Sequence, residues 1–273
     1  MKTLREVARM LGKSSVRSIA KALALNPPIS LRKILESNIT PTLITYYIVK
    51  DVDGKLEKSA KVACNFWNKF ISPKYSIVVR LGIFTEDSDT IARAYAPYEK
   101  DGVFYGVVEF NTKYLSSYTR NEISGTIAHE IGHTLGMGWS DWMGLFNSTT
   151  GVFTDAAINM LPDLSDMRVE THGGSGTRLS HWDEDRHGAS LMTGWKNSKE
   201  HVLPVTIRIM GILGHRIAED LPQKTDLDSL LNTLSQVMFS RQAEARALNL
   251  DYFEETEPWE NIPHDQPLPQ KMG

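Results

Sequence analysis

The sequence has one cysteine, Cys64, in 273 residues. A single thiol cannot close an intrachain disulfide, so packing and a bound metal are the remaining ways to hold the chain together. Cys64 itself, in KVACNFW, reads as a small buried apolar residue, and nothing around it supports a Cys–His protease. There is no run of about 20 apolar residues, so no transmembrane helix is expected. Positive charge is not in excess: 30 Lys and Arg against 33 Asp and Glu give a formal net charge of −3. That argues against nucleic acid as the main partner, because phosphate binding needs a concentrated basic surface. Nor does the N-terminus have the layout of a signal peptide. In MKTLREVARMLGKSSVRSIAKALALNPP the basic residues are spread along the segment rather than gathered ahead of an apolar stretch. Leu4, Val7, Ala8 and Leu11 share one side, so residues 1–36 read as a basic amphipathic segment that Pro27 and Pro28 stop. It is expected to be a packed or frayed leader, with a membrane-surface or latency role as the alternatives.

What is present fits a soluble globular protein, with 41% hydrophobic and 23% charged residues and enough length for one large domain or two lobes. PTLITYYIVK (41–50) is rich in β-branched and aromatic residues and predicts a strand, with a DVDG turn after it. In KLEKSAKVACNFWNKFI the residues Ala60, Val62, Ala63, Phe66, Trp67 and Phe70 recur at helical spacing. YSIVVRLGIF and GVFYGVVEFN read as two further strands. The expected fold class is α+β, a twisted mixed sheet with packed helices above a largely irregular and helical C-terminal lobe. The expected divisions are the leader (1–36), a lobe with the active-site helix (37–136), a second lobe (137–218), a C-terminal helix (219–250) and an acidic, proline-rich tail (251–273).

The chemistry is carried by HEIGHTLGMGW, His129 to Trp139. Its helix is expected to begin at Asn121 as cap, with Glu122 in the first turn. Ile123, Ile127 and Ile131 then form an apolar back, and His129 and His133 lie on nearly the opposite side. Gly136 provides the stop. Two histidines at i and i+4 project the same way, so both imidazoles can reach one zinc ion. Glu130, about 100° round from His129, is placed to act as general base on a zinc-activated water. It can then pass the proton to the departing amine.

A catalytic zinc takes three protein ligands. The compact metzincin pattern puts the third six residues after the second histidine. That position is Trp139, and indole cannot ligate zinc. The candidates further away are His172, His181, His187, His201, His215 and His264, or a carboxylate such as Asp141 or Glu170.

GGSGTRLSHWDEDRHGASLMTG resembles the leishmanolysin family of zinc peptidases, metzincins with an insertion before the third histidine. The resemblance implies a zinc endopeptidase with one catalytic ion. It implies His181, in Ser180-His181-Trp182, as the third ligand, and Met192, in Leu191-Met192-Thr193-Gly194, as the Met-turn residue beneath the metal. His187 is the main rival for third ligand. YGVVEFNTKYLSSYTRNEISGTIAHEIGHTLGMG is similar to the family's strand and active helix, and VLPVTIRIMGILGHRI to its strand-or-helix element after the Met-turn. The likeness runs from about residue 40 to 216. It departs in GILGHRI, where the family often carries an acidic residue and Gly-Tyr, and in having no tyrosine soon after Met192. The likeness also implies a secreted or surface enzyme, and a peptide bound extended along an edge strand. VFYGVVEFN (103–111) is the edge-strand candidate, with Gly106 either leaving room for backbone approach or marking a bulge. Asp183, Glu184 and Asp185 read as either partners of a ligating imidazole or a solvated acidic turn.

Two other readings compete. A zinc-stabilised binding module would keep the metal without the chemistry, but a purely structural site needs no base at Glu130. A two-histidine, one-glutamate peptidase using Glu170 or Glu184 is disfavoured by the Ser-His-Trp and Leu-Met-Thr-Gly context.

Overall fold

The computed structural model describes residues 42–174, 176–221 and 223–247. The amphipathic leader, the acidic tail and His264 lie outside the described residues.

Four strands form a mixed sheet: β1 (Ile44–Ile48), β2 (Ile77–Phe84), β3 (Ala92–Lys100) and β4 (Val103–Asn111). Their spatial order is β1-β2-β4-β3. β1, β2 and β4 run parallel, and β3 pairs antiparallel with β4. This corrects the sequence reading twice. ARAYAPYEK is a strand that its composition hides, because charges, Pro97 and a register shift between Tyr95 and Tyr98 break the two-residue period. Residues 103–111 are not the edge. They lie between β2 and β3, because the tight Asp101-Gly102 turn brings β3 and β4 together as a hairpin with β3 outermost.

One face of the sheet carries Ile44, Val79, Leu81, Ala94, Val108 and Phe110, all buried under two helices. The first helix, α1 (Lys55–Phe70), covers that face with Leu56, Ala60, Ala63, Phe66, Trp67 and Phe70. Its Trp67 Nε1 donates to the carbonyl oxygen of Ala128 at 2.7 Å and ties it to the second helix, α2 (Arg120–Thr134). The back of α2 is as the spacing predicts: Ile123, Ile127 and Ile131 are 2%, 0% and 0% exposed. Each such burial stabilises by on the order of 2 kcal/mol. The cap is Thr119 rather than Asn121. Its Oγ1 accepts from the Glu122 N–H at 3.3 Å, and the Glu122 carboxylate accepts from the Thr119 N–H at 2.7 Å. This reciprocal capping box satisfies two helix-end donors at once, which a lone Asn cap would not. At the other end Gly136 takes a φ of 123°, and its N–H closes onto the His133 carbonyl at 2.9 Å.

Beyond Gly136 the chain is mostly single turns (Ser140–Met143, Asp155–Met160 and Pro162–Asp166) and isolated bridges. Edge-on aromatic packing of Trp142 with Phe146, Phe153 and Trp182 gives this segment its own core. VLPVTIRIMGILGHRI, open between strand and helix from sequence, supplies helix α3 (Pro204–Ile212), with Pro204 in the first turn where no N–H is needed. Helix α4 (Leu227–Ala247) packs its start against α1 and α2. Among the described residues no helix is long and apolar enough to cross a membrane.

Candidate metal centre

The front of α2 presents His129 and His133, and the segment after the insertion brings His181 to meet them. The three Nε2 atoms stand 3.0 Å (His129–His181), 3.1 Å (His129–His133) and 3.2 Å (His133–His181) apart. Each ring is oriented through its other nitrogen. Nδ1 of His129 faces the Leu191 carbonyl oxygen at 2.6 Å, that of His133 faces Met137 O at 3.0 Å, and that of His181 faces Thr177 O at 3.0 Å. A carbonyl only accepts, so each Nδ1 carries the ring proton and each Nε2 presents a lone pair. Three converging lone pairs repel one another unless a cation lies among them. A tetrahedral zinc with Zn–N bonds of about 2.0–2.1 Å separates its nitrogen ligands by about 3.3–3.4 Å, within a few tenths of the spacing here. These histidines are the one group among the described residues with the donor set and convergence to hold a metal ion.

Burial keeps the imidazoles neutral, as a ligand must be. It lowers the His129 pKa to about 3, with His181 adding to the effect, and lowers His181 to about 4. His133 falls well below the ordinary value for the same reason. Glu130, 6% exposed, is pushed up to about 8 by burial.

His181 is held by strand-like pairing on both sides. Glu170 N donates to His181 O at 2.9 Å and Asp183 N to Arg168 O at 2.9 Å, while Trp182 N donates to Met192 O at 2.9 Å. The turn Ser190–Thr193 therefore lies directly beside the third histidine. Met192 is fully buried against α2, where a Cβ on Gly132 would come within 2.6 Å of its sulfur. Glycine in the fourth place of His-Glu-Ile-Gly-His is thus what lets Met192 sit under the helix. Trp139, at the position where a compact motif would place its third histidine, instead donates from Nε1 to the His133 carbonyl at 2.7 Å.

The other candidates point elsewhere. His187 Nε2 accepts from the Arg168 N–H at 3.1 Å. His215 is buried, donating from Nε2 to Leu135 O at 2.7 Å and accepting at Nδ1 from Lys74 N–H at 3.2 Å. His201 pairs with Asp226 in a two-residue antiparallel ladder. His172 gives its N–H to Glu170, and Asp141 is exposed. Among the acidic trio, Asp183 caps the turn Glu184–His187, Glu184 accepts from Asn197, and Asp185 is exposed. The imidazole partners are main-chain carbonyls of Leu191, Met137 and Thr177, joined at His181 by the Ser180 hydroxyl, 2.9 Å from Nδ1, so the serine of Ser-His-Trp is the one partner that the sequence displays.

No curated protein and no solved structure matches the chain. A family model described as dual-action HEIGH metallo-peptidase, peptidase family M57, matches residues 67–156. The matched stretch contains His129, Glu130 and His133 and ends before His181. HEIGH metallopeptidases use zinc. The match supports a zinc metallopeptidase family for this chain, without singling out the leishmanolysins.

Proposed function

We propose that the chain is a zinc-dependent endopeptidase of leishmanolysin-like, metzincin type, with His129, His133 and His181 as the zinc ligands and Glu130 as general base. The observation that carries this reading is the convergence of three Nε2 lone pairs within 3.0–3.2 Å, on a helix that also carries Glu130. Zinc, when bound, supplies the Lewis acidity that activates a water and polarises the scissile carbonyl. Glu130 takes the proton from that water and delivers it to the departing amine. Met192 is the Met-turn residue and packs the floor of the site.

The substrate lies extended along β3, the sheet edge that packs against α2, with its scissile carbonyl directed to the triad. Asn111 N donates to Ile91 O, so hydrogen-bonded pairs fall at Arg93 and Tyr95. The N–H and C=O groups of Ala92 and Ala94 then point away from β4, toward a bound peptide. Of the two proposed lobes, 37–136 carries β3 and α2 among its described residues, and 137–218 brings His181 and Met192.

The test is cleavage of an unstructured protein such as casein by the zinc-loaded chain, with and without chelator. Glu130→Gln is expected to retain one zinc and lose cleavage by at least about a hundredfold. Zinc-loaded wild-type protein that cleaves no member of a broad peptide library would replace the peptidase reading with that of a zinc-stabilised binding module.

A further inference from the structure

Glu170 is a buried carboxylate, 8% exposed, outside the triad. Its four polar contacts all clamp the segment that carries His181. The main chain of Glu170 pairs with both ends of the turn that precedes the ligand: its C=O accepts from Leu179 N–H at 2.7 Å, and its N–H donates to His181 O at 2.9 Å. The side chain grips two further amides. Oε1 accepts from His172 N–H at 2.6 Å, and Oε2 accepts from Glu184 N–H at 3.2 Å, three residues past the ligand. Both oxygens are committed to these amides, so this carboxylate is not itself directed at the metal site.

We propose that Glu170 is the positioning residue for the third ligand, fixing the main chain before and after His181 so that its Nε2 meets the helical pair. This rests on the reading of the triad as a zinc site. The physical reason is the uneven support of the three ligands. His129 and His133 are fixed to each other by one helix turn, whereas His181 comes from a glycine-rich segment with little regular structure of its own. Without a clamp, ordering that segment would be charged against zinc affinity. A carboxylate accepts two N–H groups at once and is stronger than a neutral acceptor, which is what the two amides at 172 and 184 require.

The experiment measures zinc dissociation from the full chain by competition with a chromophoric chelator. Glu170→Ala is expected to speed zinc loss about 10–100-fold, and Glu170→Gln, which keeps one acceptor, by less. At saturating zinc both variants should recover kcat and KM on a peptide to within about threefold, because the metal then orders the segment. In a His181→Ala background, Glu170→Ala should change zinc dissociation by no more than about twofold, since the ligand it positions is gone. An equal effect in both backgrounds would show general loosening and overturn the proposal, as would unchanged zinc loss in Glu170→Ala. Should the alanine variant not fold, amide exchange in the wild-type zinc-free chain decides: slow exchange at His172 and Glu184 is expected, and fast exchange at both overturns it. Wild-type protein that binds zinc but cleaves no peptide defeats the peptidase reading alone. Wild-type protein that binds no zinc defeats both.

Discussion

Nδ1 of His129 donates to the carbonyl oxygen of Leu191 across 2.6 Å, joining residues 62 positions apart. One hydrogen bond thereby couples the active helix to the turn that carries Met192. It fixes the tautomer and ring angle of the first histidine, so the site is complete only when the second part of the chain has docked under α2.

That docking depends on Gly132. A Cβ there would lie 2.6 Å from Met192 Sδ, 2.8 Å from its Cε and 3.3 Å from Trp67 Cζ2. Gly132→Ala is expected to cost about 1–3 kcal/mol by overpacking and to weaken zinc binding by pushing the Leu191–Met192 turn away. A denaturation midpoint and a zinc titration read the two effects. Adding Met192→Ala should return part of the loss, and a Gly132→Ala protein with wild-type stability and zinc affinity would show that the turn is not seated as described.

The sheet edge gives a prediction about the substrate. Outward-facing main chain at Ala92 and Ala94 calls for hydrogen bonds to a peptide at alternate residues, and Pro97 offers no N–H further along. N-methylating the amides of a cleaved peptide one at a time should raise KM about tenfold at alternate positions near the scissile bond and little at those between. A uniform response would rule out strand-like binding on β3.

His215 provides a pH signature away from the zinc ligands. It bridges Leu135, just past α2, to the main chain of Lys74, and burial lowers its pKa below the ordinary value of about 6.5, with the Lys74 charge adding to the effect. The folded state therefore resists protonation that the unfolded state accepts. Stability from this group is present above about pH 6.5 and is lost as pH falls toward the lowered folded value. His215→Asn should cost about 1–2 kcal/mol at pH 7.5 through the lost hydrogen bonds, and the difference from wild type should narrow by pH 5. Urea midpoints for both proteins across pH 5–8 check this, and a gap that widens on acidification contradicts it.

The active helix is legible because a 3.6-residue apolar period and the His-Glu-Ile-Gly-His spacing coincide on the same fifteen residues. Its start is less so: Thr119 and Asn121 are both plausible caps by type, and only the reciprocal bonding with Glu122 decides between them. β3 escapes because a bulged strand with a proline and with charges at Arg93, Glu99 and Lys100 lacks the signal by which strands are read. The edge is assigned to 103–111 in error for a related reason, since strand order follows from the hairpin and not from the composition of either strand. Gly106, taken as space for a substrate, is filled from behind: a Cβ there would meet Thr134 Cγ2 at 2.3 Å, so the glycine admits the end of α2. His181 could be singled out only by resemblance, because a separation of 48 positions from His133 follows no ligand-spacing rule. Glu170, weighed from sequence as a ligand, has the right neighbourhood and a different task.

The central claim is that His181, and not His187, completes the zinc site. Zinc titration of wild type, His181→Ala and His187→Ala, with bound zinc counted per chain, tests it most directly. The expected result is one zinc in wild type and in His187→Ala with equal affinity, and a loss of at least about a hundredfold in affinity for His181→Ala. Wild-type affinity in His181→Ala, with the loss falling on His187→Ala instead, would contradict the account.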